Sequence, residues 1–234
     1  MGLKIKPRLL NKYYNSGLLK EPIKILKKNC HINHHYSGSQ VSTFKLKDNN
    51  VVYKLTPMNI KYFSDERKNN TPFDLLKETQ IINSFYLPIK EIIYYDKNVF
   101  IYSQDYIKPL KKLNPYIIIS ILLIIYKMIM KDLVCTDISI RNLGYDGENI
   151  LLYDLQGLKS YKNCKIDRLR HNLERYLSHI NIELNLELFQ EKDKTLESLK
   201  QLYSEIHTRF YHTFTDKQQS IIDFKSSLAF DLKI

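Results

Sequence analysis

Cys135-Thr136-Asp137-Ile138-Ser139-Ile140-Arg141-Asn142, followed eleven positions on by Tyr153-Asp154-Leu155-Gln156-Gly157, is the stretch on which the reading of this chain turns. Between the two blocks lie Leu143-Gly144-Tyr145 and Ile150-Leu151-Leu152-Tyr153, both apolar and β-prone, and the Asp146-Gly147 dipeptide separating them is a strong hairpin signal. Such a hairpin presents Asn142 at one side of its mouth and Asp154 at the other, close enough to share a cation. An acid, an amide five positions later and a second acid beyond a hairpin are the groups that phosphoryl transfer from ATP requires. In that chemistry one carboxylate receives the proton of the acceptor, the role expected of Asp137, while an amide and a second carboxylate hold Mg²⁺ against the triphosphate, the role expected of Asn142 and Asp154. Amide and carboxylate oxygens suit a hard cation that keeps part of its water shell.

Catalytic loop, hairpin and metal-binding Asp in this order resemble the protein-kinase-like superfamily. The resemblance implies an α+β, bilobal protein-kinase-like fold, with a five-stranded antiparallel N-lobe carrying one helix and a reduced helical C-lobe. It also implies a phosphate-binding Lys on the third strand, and Val51-Val52-Tyr53-Lys54-Leu55 offers Lys54. A Lys in a half-buried strand is costly unless paired, and Glu78 in the following helix is the residue expected to face it. Further nucleotide contacts are implied at Gly38 and Ser39, in the loop covering the phosphates, and at Gln104 and Tyr106 beside the lobe boundary.

Several positions depart from the family pattern. The covering loop Tyr36-Ser37-Gly38-Ser39-Gln40-Val41-Ser42 keeps only Gly38, where further glycines ease close approach of the backbone to phosphate; a stiffer loop with altered nucleotide binding is expected. Cys135-Thr136 replaces the usual His-Arg, which removes the Arg that reads activation-loop phosphorylation. Arg141 before Asn142 resembles the tyrosine kinases, and Gly157 comes one place late after Asp154-Leu155-Gln156. No Ala-Pro-Glu follows, and no proline at all after Pro115. The chain is therefore most similar, over roughly residues 31–180, to compact atypical kinases such as the RIO family and the kinase subunit of the KEOPS complex. Its bias to Lys, Ile, Asn and Tyr, without Trp, indicates an A/T-rich coding sequence and is in keeping with a virus-encoded member.

Periodicity divides the chain into a basic extension (1–30), an N-lobe (31–106) and a C-lobe (107–234). Strands are expected over His31–Tyr36, Val41–Leu46, Val51–Leu55, Ile89–Tyr95 and Val99–Gln104, with a helix over Phe73–Phe85 after Pro72. Helices are expected over 116–130, Asp167–Ile180, Leu196–Phe210 and Asp216–Phe224. The apolar run Tyr116–Tyr126 is too short to span a bilayer, which needs about 20 residues, so it reads as a buried helix and no membrane association is expected.

At 234 residues the chain is long enough to bury a core in one unit or two. The net charge of +11 favours anionic partners, a nucleotide among them, although a solvated Lys-rich surface accounts for it equally. Eight basic residues against Glu21 alone make 1–30 a docking surface for RNA or an acidic protein, or else a solvated extension. Cys30, Cys135 and Cys164 are odd in number and widely spaced, which points to a reducing, cytoplasmic setting. The N-terminus has no apolar stretch for a secretory signal, and Lys6 does not fit a myristoylation motif at Gly2. Cys30-His31 with His34-His35 is a counter-reading as a zinc site, limited because neighbours on a strand face opposite ways. The expected activity is ATP- and Mg²⁺-dependent transfer to a protein Ser/Thr (or Tyr) hydroxyl. The alternatives are a pseudokinase acting as a binding module and, third, a small-molecule phosphotransferase.

Overall fold

Val51 to Pro57, rich in β-branched and aromatic residues, forms the central strand of an antiparallel sheet in the computed structural model. The structure describes Gly17, Lys20, Glu21, Lys24, 32–37, 42–46, 50–57, Phe85, 87–95, 99–135, 138–154, 158–161, 167–183 and 191–230. The chain divides into two compact units: the first holds the described residues before Lys61 with Leu87–Ile107, and the second holds Lys108 onward with Phe85.

The first unit is built on β1 (Ile32–Ser37), β2 (Ser42–Leu46), β3 (Val51–Pro57), β4 (Glu91–Tyr95) and β5 (Val99–Asp105), in the order β1-β2-β3-β5-β4. All pairs are antiparallel, and the register shifts between Ile32 and His34 and between Ile92 and Tyr94. Such shifts let a strand bend without losing its partner. β5 is buried along nearly its whole length, which places the core of this unit along it, with Val52, Leu55, Phe100 and Tyr102 among the apolar residues. Phe100 and Tyr102, two apart and so on one face, stack at 4.7 Å. The strands expected from alternation are present within two residues at each end. Of the helix expected over 73–85 only Phe85 is described, in a turn.

The second unit begins with β6 (Lys108–Pro109) and the helix α1 (Pro115–Met130). Pro115 occupies the first turn, where its missing N–H costs nothing, and Asn114 caps the helix by accepting the N–H of Ile117 at 2.9 Å. Thirteen of its sixteen residues are buried, as an all-round apolar helix requires, and it packs on α3 (Lys192–Phe210), α4 (Asp216–Phe230), β7 (Leu133–Cys135) and β9 (Ile150–Leu152). Among the described residues no helix is long and apolar enough to cross a membrane. α2 (Asp167–Ser178) buries Leu169, Asn172, Leu173, Tyr176 and Leu177, the i, i+3, i+4, i+7, i+8 stripe of a helix with one inward face.

Three short strands go beyond the expected elements. β6 pairs with β8 (Leu143–Tyr145), and β7 pairs antiparallel with β10 (Leu158–Ser160), Cys135 opposite Leu158. Strands of two or three residues are too short to show a period. The expected β8/β9 hairpin is present, with a four-residue connection, Asp146–Asn149, in which the Asp146 carboxylate accepts the N–H groups of Glu148 and Asn149. Helix α3 begins at Lys192 rather than Leu196, and α4 runs on to Phe230 rather than ending at Phe224.

Candidate functional site

The β7/β10 and β8/β9 ladders set the geometry of the second unit's polar residues. The chain crosses from one ladder to the other in 136–142 and returns in 153–157. The first crossing ends at Asn142 and the second begins with Tyr153 and Asp154, so the described ends of the two crossings meet at the mouth of the β8/β9 hairpin. Asp137 itself lies outside the described residues.

Ser139 leads into a 3₁₀ turn, Ile140–Asn142, that hands the chain to β8. From residue 138 to 143 every backbone carbonyl has a donor. Ile138 O accepts from the Tyr176 hydroxyl at 2.6 Å, and Ser139 O from the Asn142 N–H at 2.8 Å. Ile140 O accepts from Leu143 N–H, Arg141 O from the Tyr153 hydroxyl, Asn142 O from Tyr153 N–H at 2.9 Å, and Leu143 O from Leu110 N–H at 3.0 Å. A segment satisfied at each acceptor has few ways to rearrange, which is the property a site needs if positioning is its task.

Tyr153 is the closing piece of the hairpin mouth. Its N–H and hydroxyl bind consecutive carbonyls of the 3₁₀ turn, so the residue before Asp154 is tied directly to Asn142. Asn142 and Asp154 are both half-buried. Amide and carboxylate oxygens are the donor types that a hard cation takes.

Lys54 stands on β3 of the first unit, opposite Thr43 on β2 and Tyr102 on β5. Only 6% of it is exposed, and its ammonium lies 5.9 Å from the centre of the Tyr102 ring. Its expected partner Glu78 lies outside the described residues, as do Gly38 and Ser39. Gln104, expected near a nucleotide, has a fully buried side chain whose Nε2 donates to Leu87 O at 2.7 Å, leaving Oε1 buried without a hydrogen-bond partner. The N–H of Tyr106 donates to Asn50 O at 2.6 Å. The Gln104 amide N–H and the Tyr106 N–H are thus engaged within the first unit.

Two contributors escape sequence reasoning. Tyr176 sits on the apolar stripe of α2, where spacing shows it to be inward but not what its hydroxyl meets 38 residues back in the chain. Lys225 of α4 is 4% exposed; its ammonium lies 5.3 Å from the Phe85 ring centre and donates to Ile150 O, on the hairpin, at 3.4 Å. Burial pushes its pKa down to about 8, against a smaller upward pull from Asp146. Near the same hairpin, the Tyr116 phenol is pushed up to about 12, mainly by burial and then by Tyr145 and Asp146. Cys135, at the edge of the candidate site, is buried and forms no disulfide; Cys30, Cys164, Cys30-His31 and the side chains of His34 and His35 lie outside the described residues.

No protein-family model matches the chain, and no curated protein is significantly similar to it. Among solved structures it is similar to the kinase PK-1 of the Cydia pomonella granulovirus, with a TM-score of 0.41 and 18% identity over 62% of this chain and 57% of that one. It is also similar to monomeric WbdD, with a TM-score of 0.46 and 10% identity over 72% of this chain and 49% of that one. The chain thus spans about half the length of the solved chains it matches.

Proposed function

We propose that the chain is a compact, atypical kinase of the protein-kinase-like type, an ATP-dependent phosphotransferase that acts on a hydroxyl of a protein. The observation that carries this reading is the closed hairpin mouth, where Tyr153 ties Asn142 to the chain entering Asp154 in the order acid, amide, hairpin, acid. The first unit adds a nearly buried Lys on its central strand, opposite Thr43 and Tyr102.

In this reading Asp137 accepts the proton of the attacking hydroxyl as the new oxygen–phosphorus bond forms and the bond to the bridging oxygen of ADP breaks. Lys54 orients the phosphates and offsets their charge. Asn142 and Asp154 would hold Mg²⁺, which when bound neutralises charge on the phosphate oxygens. Binding energy goes into positioning, so these groups suffice without a peptide-docking segment. The basic stretch 1–30 is the part suited to an RNA or an acidic protein partner.

Purified protein incubated with γ-labelled ATP and Mg²⁺ should label itself or a generic protein acceptor, and Asp137→Ala should reduce labelling at least about a hundredfold. Equal silence of wild type and variant, with ATP binding intact, would sink the reading. The engaged Gln104 amide N–H and Tyr106 N–H favour a second reading, a pseudokinase serving as a binding module. A pseudokinase of this kind gains no thermal stability when Mg²⁺ is added to ATP, whereas the enzyme does.

A further inference from the structure

We propose that Tyr176 is a positioning residue for the proton-accepting Asp137, acting from helix α2 through the carbonyl of Ile138. This rests on the phosphotransferase reading and assigns to it a residue 39 positions downstream of the acid.

Five of the six carbonyls from 138 to 143 are satisfied by the turn itself, by Tyr153 at the hairpin mouth or by Leu110 beside β6. Ile138 O differs: its donor is a side chain brought in by a separate helix. Ile138 is also the residue that follows Asp137, so holding its carbonyl restrains the peptide plane next to the acid's own. Its side chain is fully buried, and the position is therefore gripped by packing and by the hydrogen bond together.

The composition of α2 bears on why a hydroxyl is there. Leu169, Leu173 and Leu177 line the same stripe and are, like Tyr176, fully buried. A Phe would fill the space of the Tyr176 ring at no polar cost. A buried hydroxyl is unfavourable unless bonded, and at 2.6 Å from Ile138 O this one is well bonded. A displacement near 1 Å at a reacting group is enough to cost about a hundredfold in rate, so a side chain that sets this carbonyl has leverage on turnover.

The test uses the full chain with Tyr176→Phe, which keeps the ring and removes the hydroxyl. The expected result is a fall of about ten- to a hundredfold in kcat, with KM for ATP and the Mg²⁺-dependent thermal stabilisation by ATP unchanged. Leu173→Ala, one helical turn away, is the packing control: it should lower the melting temperature by several degrees, roughly, while kcat per folded molecule stays at the wild-type value. Wild-type kcat in Tyr176→Phe overturns the proposal. So does a parallel loss of kcat, ATP affinity and melting temperature, or a failure of the variant to fold, because each assigns the hydroxyl to stability. A wild-type chain that transfers no phosphoryl group instead defeats the phosphotransferase reading itself, and this proposal with it.

Discussion

Lys54 and Lys225 are buried to nearly the same degree, 6% and 4% exposed, and each holds its ammonium near an aromatic ring, 5.9 Å from Tyr102 and 5.3 Å from Phe85. Their settings differ. Lys54 projects from the central strand of the first unit's sheet, among short polar and aromatic neighbours, in the order that the motif of 137–154 leads one to expect. Lys225 belongs to the i, i+3, i+4, i+7 stripe of α4 with Ile222, Ser226 and Ala229, and its hydrogen bond to Ile150 O clamps that helix to the hairpin. The pair teaches that a buried cation does not by itself mark a site: an apolar residue of similar length would serve Lys225's packing role, while Lys54's proposed role needs the charge.

The largest effect that tests this contrast is on turnover. Lys54→Met should lower phosphoryl transfer by more than about a hundredfold without a comparable loss of stability, because in its proposed role the charge that offsets the phosphates is what the change removes. Lys225→Met should leave transfer per folded molecule within about twofold. Equal losses in the two variants would erase the distinction.

Asp154→Asn is expected to act next most strongly, on metal-dependent binding. Wild-type protein at about a hundred times the dissociation constant of the ATP–Mg²⁺ complex should gain about 2.7 kcal/mol of stability over the unliganded chain. In the variant, differential scanning fluorimetry should show the same small shift with ATP whether or not Mg²⁺ is present. A retained Mg²⁺ increment would remove Asp154 from the ligand set.

The smallest effect is the pH dependence of stability, and it reports on Lys225. Its pKa is about 8 in the folded protein against 10.5 for an ordinary Lys. Below about pH 8 the folded state carries the full penalty of a buried charge. Between about 8 and 10.5 the folded state releases the proton before the unfolded state does, so stability rises over that window, by on the order of 2 kcal/mol. Lys225→Met should abolish the rise in a melting series from pH 7.5 to 10. Above pH 10 the trend reverses, since Tyr116, pushed up by burial, and Tyr211, held up to about 12 chiefly by its bond to Asp223, ionise earlier in the unfolded chain.

Much of the fold was legible because its elements carry long periods. The β-prone residues of Val51–Leu55 and the long apolar run from Tyr116, interrupted only by Ser120, announced β3 and α1, and Asp146-Gly147 announced the hairpin. β6, β7 and β10 were not legible, since two or three residues carry no period and their pairing is decided by distant partners. At the candidate site, the closeness of Asn142 to the chain entering Asp154 could be read from spacing because the hairpin that joins them is local. Tyr153's double bond to the 3₁₀ turn was half legible: the hairpin register brings its N–H to Asn142 O, but the reach of its hydroxyl to Arg141 O depends on side-chain direction.

The sequence alone determined which residue types were available at 137, 142 and 154, the α+β alternation around them and the helical stripes that must be buried, because these follow from local backbone preference and hydrophobic period. Only the tertiary structure decided that Tyr176 holds the Ile138 carbonyl, that Gln104 spends its amide on Leu87 and that Lys225, outwardly one more basic residue of a +11 chain, is buried against the hairpin. The physical reason is the same in each case. A hydrogen bond between side chain and backbone acts over about 3 Å whatever the separation along the chain, and the cost of burying its polar group is settled only once packing has removed the water.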